Sequence, residues 1–270
     1  MFRMKLAIFA PNPQYRGDER LKRLLGDLSS CEIYEVSSRD DLAAGTDMLL
    51  SMGGDGTFLS ASSILAGTGI PVLGINLGRL GFLSEYRPED VAQALLRGDY
   101  EIEDREMLRS STNGGGDQYS LNEVSVHRRG AAMLGVNVTL NEESLPTYWA
   151  DGLLVATSSG STAYSLSVGG PICSPDSKVL IIAPIAPHNL NVRPLIVPSS
   201  THVGISLTSR DSQVMLTRDN RNEIVGCDTT VSISVAQFSL KRVRLQKSNF
   251  IGALRSKLFW GEDVRNETEL

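Results

Sequence analysis

The feature that most constrains the fold is a change of hydrophobic period near residue 100. Before it, short apolar runs alternate with segments of helical spacing. "MKLAIFA" reads as a buried strand, and "GDERLKRLLGDL" as an amphipathic helix with Leu21, Leu24, Leu25 and Leu28 on one face. "EIYEV", "DMLLSM" and "IPVLGIN" read as further strands, "TFLSASSILAG" as a helix, and "RPEDVAQALLRG" as a helix that stops at Gly98. Strands that alternate with helices predict a parallel sheet with helices packed on it. Beyond Tyr100, "SLNEVSVHR", "GVNVTLN", "THVGISLTS", "SQVMLTRD", "TTVSISVAQ" and "KRVRLQ" alternate apolar with polar residues, as half-buried strands do. "NFIGALRSKLFWGED" then returns to helical spacing, with Phe250, Leu254 and Leu258 on one face. The pattern predicts an α/β fold in which an N-terminal α/β domain (1–100) is followed by a β-rich, sandwich-like domain (101–248). A C-terminal helix and tail (249–270) is expected to pack back onto the first domain.

The overall charge narrows the function classes. The 270 residues carry a net charge of −5 with no basic block, which argues against nucleic acid or an anionic membrane as the main partner. No apolar run approaches the ~20 residues that span a bilayer. Cys31, Cys173 and Cys227 are odd in number and form no C-x-x-C pair, which argues against structural zinc or a disulfide framework and fits a reducing, cytoplasmic setting.

Gly53-Gly54-Asp55-Gly56-Thr57 joins the strand "DMLLSM" to the following helix. The glycines could simply allow a tight turn, with Asp55 or Thr57 capping the helix. The loop has neither the lysine of G-x-x-x-x-G-K-[ST] nor the spacing of G-x-G-x-x-G. An acid among N–H donors makes chemical sense if it faces a hydroxyl. It could accept that proton in phosphoryl transfer, or hold a Mg²⁺ ion bridging the donor's phosphates. Both readings lead to a kinase of an alcohol. The segment resembles the signature of a kinase superfamily that includes NAD kinases, diacylglycerol and sphingosine kinases and, more distantly, phosphofructokinases.

"ADGLLVATSSGSTAYSLSVGGPICSP", Ala150 to Pro175, selects among them. Its small residues would let a flat ring approach the backbone, and its hydroxyls would bond base edges or ribose. A Ser/Gly-rich turn joining two elements would read the same way. The stretch closely resembles the NAD kinase signature, and "NLGRLGFLSE", "LNEVSV" and "APIAPHNLNVRPLIVP" match the same family in order, so that the resemblance runs from about residue 4 to 245.

The resemblance implies roles position by position. Asp55 would activate the adenosine ribose 2′-hydroxyl of NAD, while Gly56, in the same loop as Gly54 and Thr57, would lie against the diphosphate. Asn122 and Glu123 would hold adenine and ribose groups. Asp151, Tyr164, Ser167 and Ala186 would contact the nicotinamide half, some of them from a neighbouring subunit. Ser159, Thr162 and Ala163 would line the adenine pocket, in the same run as Ser165 and Leu166, and Phe82 would pack on the ring. Asp219, Asn220 and Arg221 stand where the family often shows Asp followed by Gly, Ser or His, and are assigned to the nucleotide site. The family also implies ATP as phosphoryl donor, a divalent metal such as Mg²⁺ whose ligands stay open, and a homodimer or homotetramer.

This chain departs from the family in places. Thr157-Ser158-Ser159 replaces the usual Thr-Pro-Thr, and Trp149 stands where some relatives carry a basic residue. Arg79 and Arg87 flank the Leu-Gly-Phe-Leu segment and read best as surface arginines, His127 and His202 as solvated, and Trp260 as a packing residue. The alternatives to an NAD kinase are a lipid kinase sharing the glycine loop and a catalytically silent NAD(P)-binding module.

Overall fold

The structure is a computed structural model and describes residues 3–78, 81–245 and 249–261. In chain order the first elements are β1 (Lys5–Phe9), α1 (Glu19–Asp27), β2 (Glu32–Glu35), β3 (Met48–Met52), α2 (Asp55–Leu65), β4 (Val72–Ile75) and α3 (Pro88–Arg97). There follow β5 (Tyr100–Thr112), β6 (Gln118–Ser120), β7 (Glu123–Arg128), β8 (Leu134–Leu140), β9 (Glu143–Ser144), β10 (Tyr148–Ala150) and β11 (Gly152–Thr157). The chain ends with α4 (Tyr164–Ser167), β12 (Val179–Ile185), β13 (Leu195–Pro198), β14 (Val203–Thr208), β15 (Gln213–Arg218), β16 (Arg221–Gly226), β17 (Val231–Leu245) and α5 (Phe250–Leu258). Two compact units result. One draws on Met1–Ala61, Ile70–Glu103 and Arg242–Leu270, the other on Ser62–Gly69 and Asp104–Lys241.

In the first unit β1 lies between β2 and β3, β4 pairs with β3, and all these pairings are parallel. The end of β17 joins β4 in parallel at Arg242. Every residue of β3 and β4 is buried, which is why "MLLSM" and "VLGI" read as continuous apolar runs. The helix α1 starts at Asp18, whose side chain accepts from the Arg20 N–H. It turns Leu21 and Leu24 into a core that also holds Leu28, Leu50, Leu73 and Val91. Burying each such side chain stabilises the fold by about 1.5–3 kcal/mol. The C-terminal helix belongs to this unit and buries Ala253 and Leu254.

The second unit is an antiparallel sandwich. One sheet runs β13-β12-β11-β7-β15-β16, and the other includes β10-β8-β14 and the first part of β17. Val126, Leu153, Val155 and Ile182 from one sheet meet Val136, Val138, Ile205 and Ile233 from the other. Leu154 and Ala156 point the opposite way and pack with Ile181 and Ala183, as the two-residue period of a strand requires.

Two strands differ from the sequence pattern. "TTVSISVAQ" and "KRVRLQ" form one 15-residue strand, β17, which runs on through the intervening Phe238, packed edge-on against Tyr119. The 13-residue β5 has no clear alternation because it is charged. Its Asp104, Glu106 and Arg109 pair with Lys241, Lys178 and Asp117 instead of marking a polar face.

Candidate active site

In the first unit the glycine loop turns the chain from β3 into α2. The Gly53 N–H donates to the Ile75 carbonyl oxygen (2.8 Å), and the Gly54 carbonyl accepts the first helical bond, from Phe58 N–H (3.1 Å). At Gly53 a Cβ would stand 2.3 Å from Thr57 Oγ1, so only glycine fits there. Asp55 opens α2 and reaches across to a second segment. Its Oδ2 accepts from the Phe82 N–H (2.8 Å), and its Oδ1 accepts from Leu83 (3.0 Å) and Ser84 (2.9 Å). Gly81 completes this seat, since a Cβ there would fall 2.0 Å from Asp55 Oδ1. Three of the carboxylate's four lone-pair directions are thereby used, and Oδ2 keeps one open. Gly54, Asp55 and Thr57 are half-buried and Gly56 is exposed, so the loop is reachable by a ligand. Asn76 steadies the same region by donating to the Ser84 carbonyl and accepting from the Gly78 N–H. Arg79 lies outside the described residues, and Arg87 is exposed at the start of α3.

In the second unit a parallel arrangement surrounds Asp219, in the turn between β15 and β16, with a left-handed φ of 53° that Asp tolerates better than most residues. Its Oδ2 accepts from Leu121 N–H (2.7 Å), and its Oδ1 from Asn122 (2.8 Å) and Glu123 (3.1 Å). Asn122 and Glu123 are 6% and 7% exposed, and Asn122 Oδ1 and Glu123 Oε2 have no hydrogen-bond partner among the described residues. Burial, with Asp219 as a negative neighbour, pushes the Glu123 carboxyl up to about 8. Burial raises Asp219 as well, but three amides and the nearby Arg221 favour its anion.

The Ser/Thr loop after β11 lies against the same segment. Thr157 donates its N–H to the Asn122 carbonyl (2.9 Å) and its hydroxyl to the Leu121 carbonyl (2.7 Å). Ser159 is buried with its Oγ unpartnered, Thr162 and Ala163 are half-buried, and Ser165 is buried with an unpartnered Oγ. Leu166 is half-buried, and Tyr164 and Ser167 are exposed. Contrary to the sequence reading, His127 is not simply solvated. It stacks on Tyr164 (centroids 5.8 Å apart) and bonds Ser125 Oγ (2.8 Å), and burial lowers its basicity.

Asp151 is paired with Arg128 (2.6 Å). Arg128 reaches it from β7, a partnership across the sheet with no signal in the local sequence. Ala186 is exposed and left-handed (φ 46°). Asn220 is exposed. Arg221 donates to Ser63 Oγ (2.7 Å) and the Tyr119 carbonyl. Trp260 is 59% exposed, so it does not pack as expected.

The family model of the ATP-NAD kinase N-terminal domain matches residues 12–98, and that of the C-terminal domain matches residues 121–245. The NAD kinase of Flavobacterium psychrophilum is 39% identical over 253 residues, covering 90% of this chain and 86% of the relative. That of Porphyromonas gingivalis is 43% identical over 231 residues, covering 84% and 80%. An NAD kinase from Archaeoglobus fulgidus, solved in complex with ATP, superposes with a TM-score of 0.73 at 27% identity, over 94% of this chain and 99% of that one. A yeast NADH kinase complexed with NADH shares the fold with a TM-score of 0.84 at 23% identity, over 97% and 89%. On both domain matches and these relatives, the chain belongs to the ATP-NAD kinase family.

Proposed function

We infer that the chain phosphorylates NAD, transferring the γ-phosphoryl group of ATP to the 2′-hydroxyl of the adenosine ribose to give NADP. The observation that carries this reading is the Asp55 carboxylate, held by three backbone amides with one lone pair of Oδ2 left open beside a glycine loop. In the transfer the ribose oxygen bonds to the γ-phosphorus, the bond to the β,γ-bridging oxygen breaks, and the hydroxyl proton passes to Oδ2 as ADP leaves. Gly54, Gly56 and Thr57 present the loop to phosphate, and Phe82 packs on the acceptor's ring.

The second unit supplies matching chemistry. Glu123, held neutral, offers an O–H donor, while Asn122 Oδ1 and Ser159 Oγ are buried acceptors without partners among the described residues. Leaving such groups unpaired costs about 1–3 kcal/mol each, and an adenosine moiety satisfies them. Ser159, Thr162, Ala163, Ser165 and Leu166 line the adenine, and Asp151, Tyr164, Ser167 and Ala186 face the nicotinamide half. Asp219 acts by holding Asn122 and Glu123 in place.

Among the described residues, no group of three His, Cys, Asp or Glu side chains could hold a metal ion. A magnesium ion would come with the nucleotide and neutralise charge on the donor phosphates, and Asp55, with its open lone pair, is read here as the hydroxyl acceptor. A homodimer or homotetramer belongs to the same reading, with Trp149, Leu190 and Ile196 as exposed apolar side chains of the second unit, and light scattering measures it. Three free cysteines, and the lack among the described residues of any helix long and apolar enough to cross a membrane, fit a cytoplasmic setting.

The lipid-kinase and silent-module alternatives find no support among the relatives. The test is a coupled assay for NADP formation from NAD and MgATP, repeated with other phosphoryl donors and with NADH. Well-folded protein that forms no NADP under any of these conditions would sink the assignment.

A further inference from the structure

The segment that donates to Asp55 is gripped from its other side by Arg242 and by Lys257, the latter beyond the residues that the family model matches. Arg242, 5% exposed, donates to the Phe82 carbonyl (3.3 Å) and pairs with Glu85 (3.0 Å). Lys257, in the last turn of α5, pairs with the other oxygen of Glu85 (3.1 Å) and places Nζ 5.0 Å from the centre of the Phe82 ring. Glu103 and Glu101 complete the cluster through Arg242 and Arg244, so that three carboxylates face three cations. Lys257 and Glu85 are only 13% and 11% exposed at the side chain, so solvent screens this pair far less than a surface bridge. The helix is seated for the purpose. Asn249 caps its start through the Gly252 N–H (2.7 Å), Ala253 and Leu254 are buried, and Lys257 sits at the negative end of the helix dipole.

We propose that Lys257 is a positioning residue for the acceptor nucleotide. It holds Glu85 and the face of Phe82, and through them fixes the Phe82–Ser84 amides and the ring at the Asp55 loop. The C-terminal helix, beyond the residues matched by the family model, is thereby part of the substrate-binding apparatus. The distribution of charge explains why Lys257 tunes binding without being essential to the fold. Without it Glu85 retains Arg242, whereas without Glu85 two buried cations lose a partner. The proposal rests on the reading that Phe82 packs on the ring of NAD.

The experiment uses the full chain with Lys257→Met, Lys257→Arg, Phe82→Ala and the double variant K257M/F82A, and measures KM for NAD, kcat and Tm for each. Lys257→Met should raise KM for NAD about threefold to tenfold with kcat changed by less than about twofold, the signature of lost binding that is common to ground and transition states. Lys257→Arg should recover most of the loss. Phe82→Ala should raise KM at least as much, and Lys257→Met should add little on top of it. A wild-type KM in Lys257→Met beside a raised one in Phe82→Ala overturns the proposal while leaving the Phe82 reading intact. A wild-type KM in Phe82→Ala shows that the underlying reading failed first, and the proposal with it. A fall in Tm and kcat together, not recovered by Lys257→Arg, reduces Lys257 to a structural residue and also overturns it. Lys257→Gln provides a second neutral variant if Lys257→Met folds poorly.

Discussion

In the first unit Asp55 gathers the N–H groups of Phe82, Leu83 and Ser84; in the second, Asp219 gathers those of Leu121, Asn122 and Glu123. Each carboxylate ties a distant segment of chain to a turn by three backbone bonds. Their surroundings separate them. Asp55 is half-buried at the start of a helix, and its open lone pair can meet a ligand. Asp219 is 8% exposed, and with burial it helps push the neighbouring Glu123 carboxyl up to about 8. On the reading proposed above, the same device serves chemistry where solvent reaches it and geometry where solvent does not. Hydrogen-bond pattern alone would not distinguish a proton-accepting carboxylate from an anchoring one.

The largest effect is expected at Asp55. Asp55→Asn loses the proton acceptor and turns an NH₂ group toward amide donors, so kcat should fall by about 10²–10⁴ and Tm should fall with it. Turnover that survives in folded variant protein would show that Asp55 only anchors. Asp219→Asn tests the other member of the pair, and Asn accepts the left-handed φ, so the change isolates the charge and its bonds. The expected cost is about 1–3 kcal/mol of stability, with weakened NAD binding and a kcat at saturating NAD that moves far less than for Asp55→Asn. Equal kcat losses in the two variants would erase the distinction between them.

A smaller effect is a matter of pH. The Glu123 carboxyl is raised from 4.5 to about 8 in the folded protein. As pH rises through 4.5 the unfolded chain releases this proton and the folded chain keeps it, so Glu123 costs stability progressively up to about pH 8. The Tm of Glu123→Gln relative to the parent should therefore improve between pH 5 and pH 8; a constant difference would mean that Glu123 is already ionised in the fold. The smallest effect belongs to Arg128→Ala. Its pair with Asp151 is about one-third exposed on each side, so thermal unfolding should show a loss of about 1 kcal/mol or less.

Much of the first unit was legible because its signals are local. Leu21, Leu24 and Leu28 recur at helical spacing, Pro88 and Gly98 bracket α3, and β3 and β4 are apolar throughout. The site residues were legible as types, through two motifs a hundred residues apart and their resemblance to a family. Their partners were not. Asp55 with Phe82–Ser84, Asp219 with Leu121–Glu123, Arg128 with Asp151 and Lys257 with Glu85 join positions separated by 23 to 172 residues. The charged β5 escaped for a related reason, since its ion-pair partners come from elsewhere in the chain and leave no alternation to read.

The sequence by itself determined the division into an α/β part and a β-rich part, the glycine loop with its acid, and the family. Each depends on local period, on turn chemistry or on the order of motifs along the chain. Only the tertiary structure decided that Asp55 is seated by three amides with one lone pair to spare, that Asp219 anchors rather than faces outward, that Glu123 keeps its proton, and that the C-terminal helix reaches Phe82. Those properties arise from burial and from contacts between distant segments, which alter a side chain's hydrogen bonds and electrostatic surroundings without leaving a mark on its neighbours in sequence.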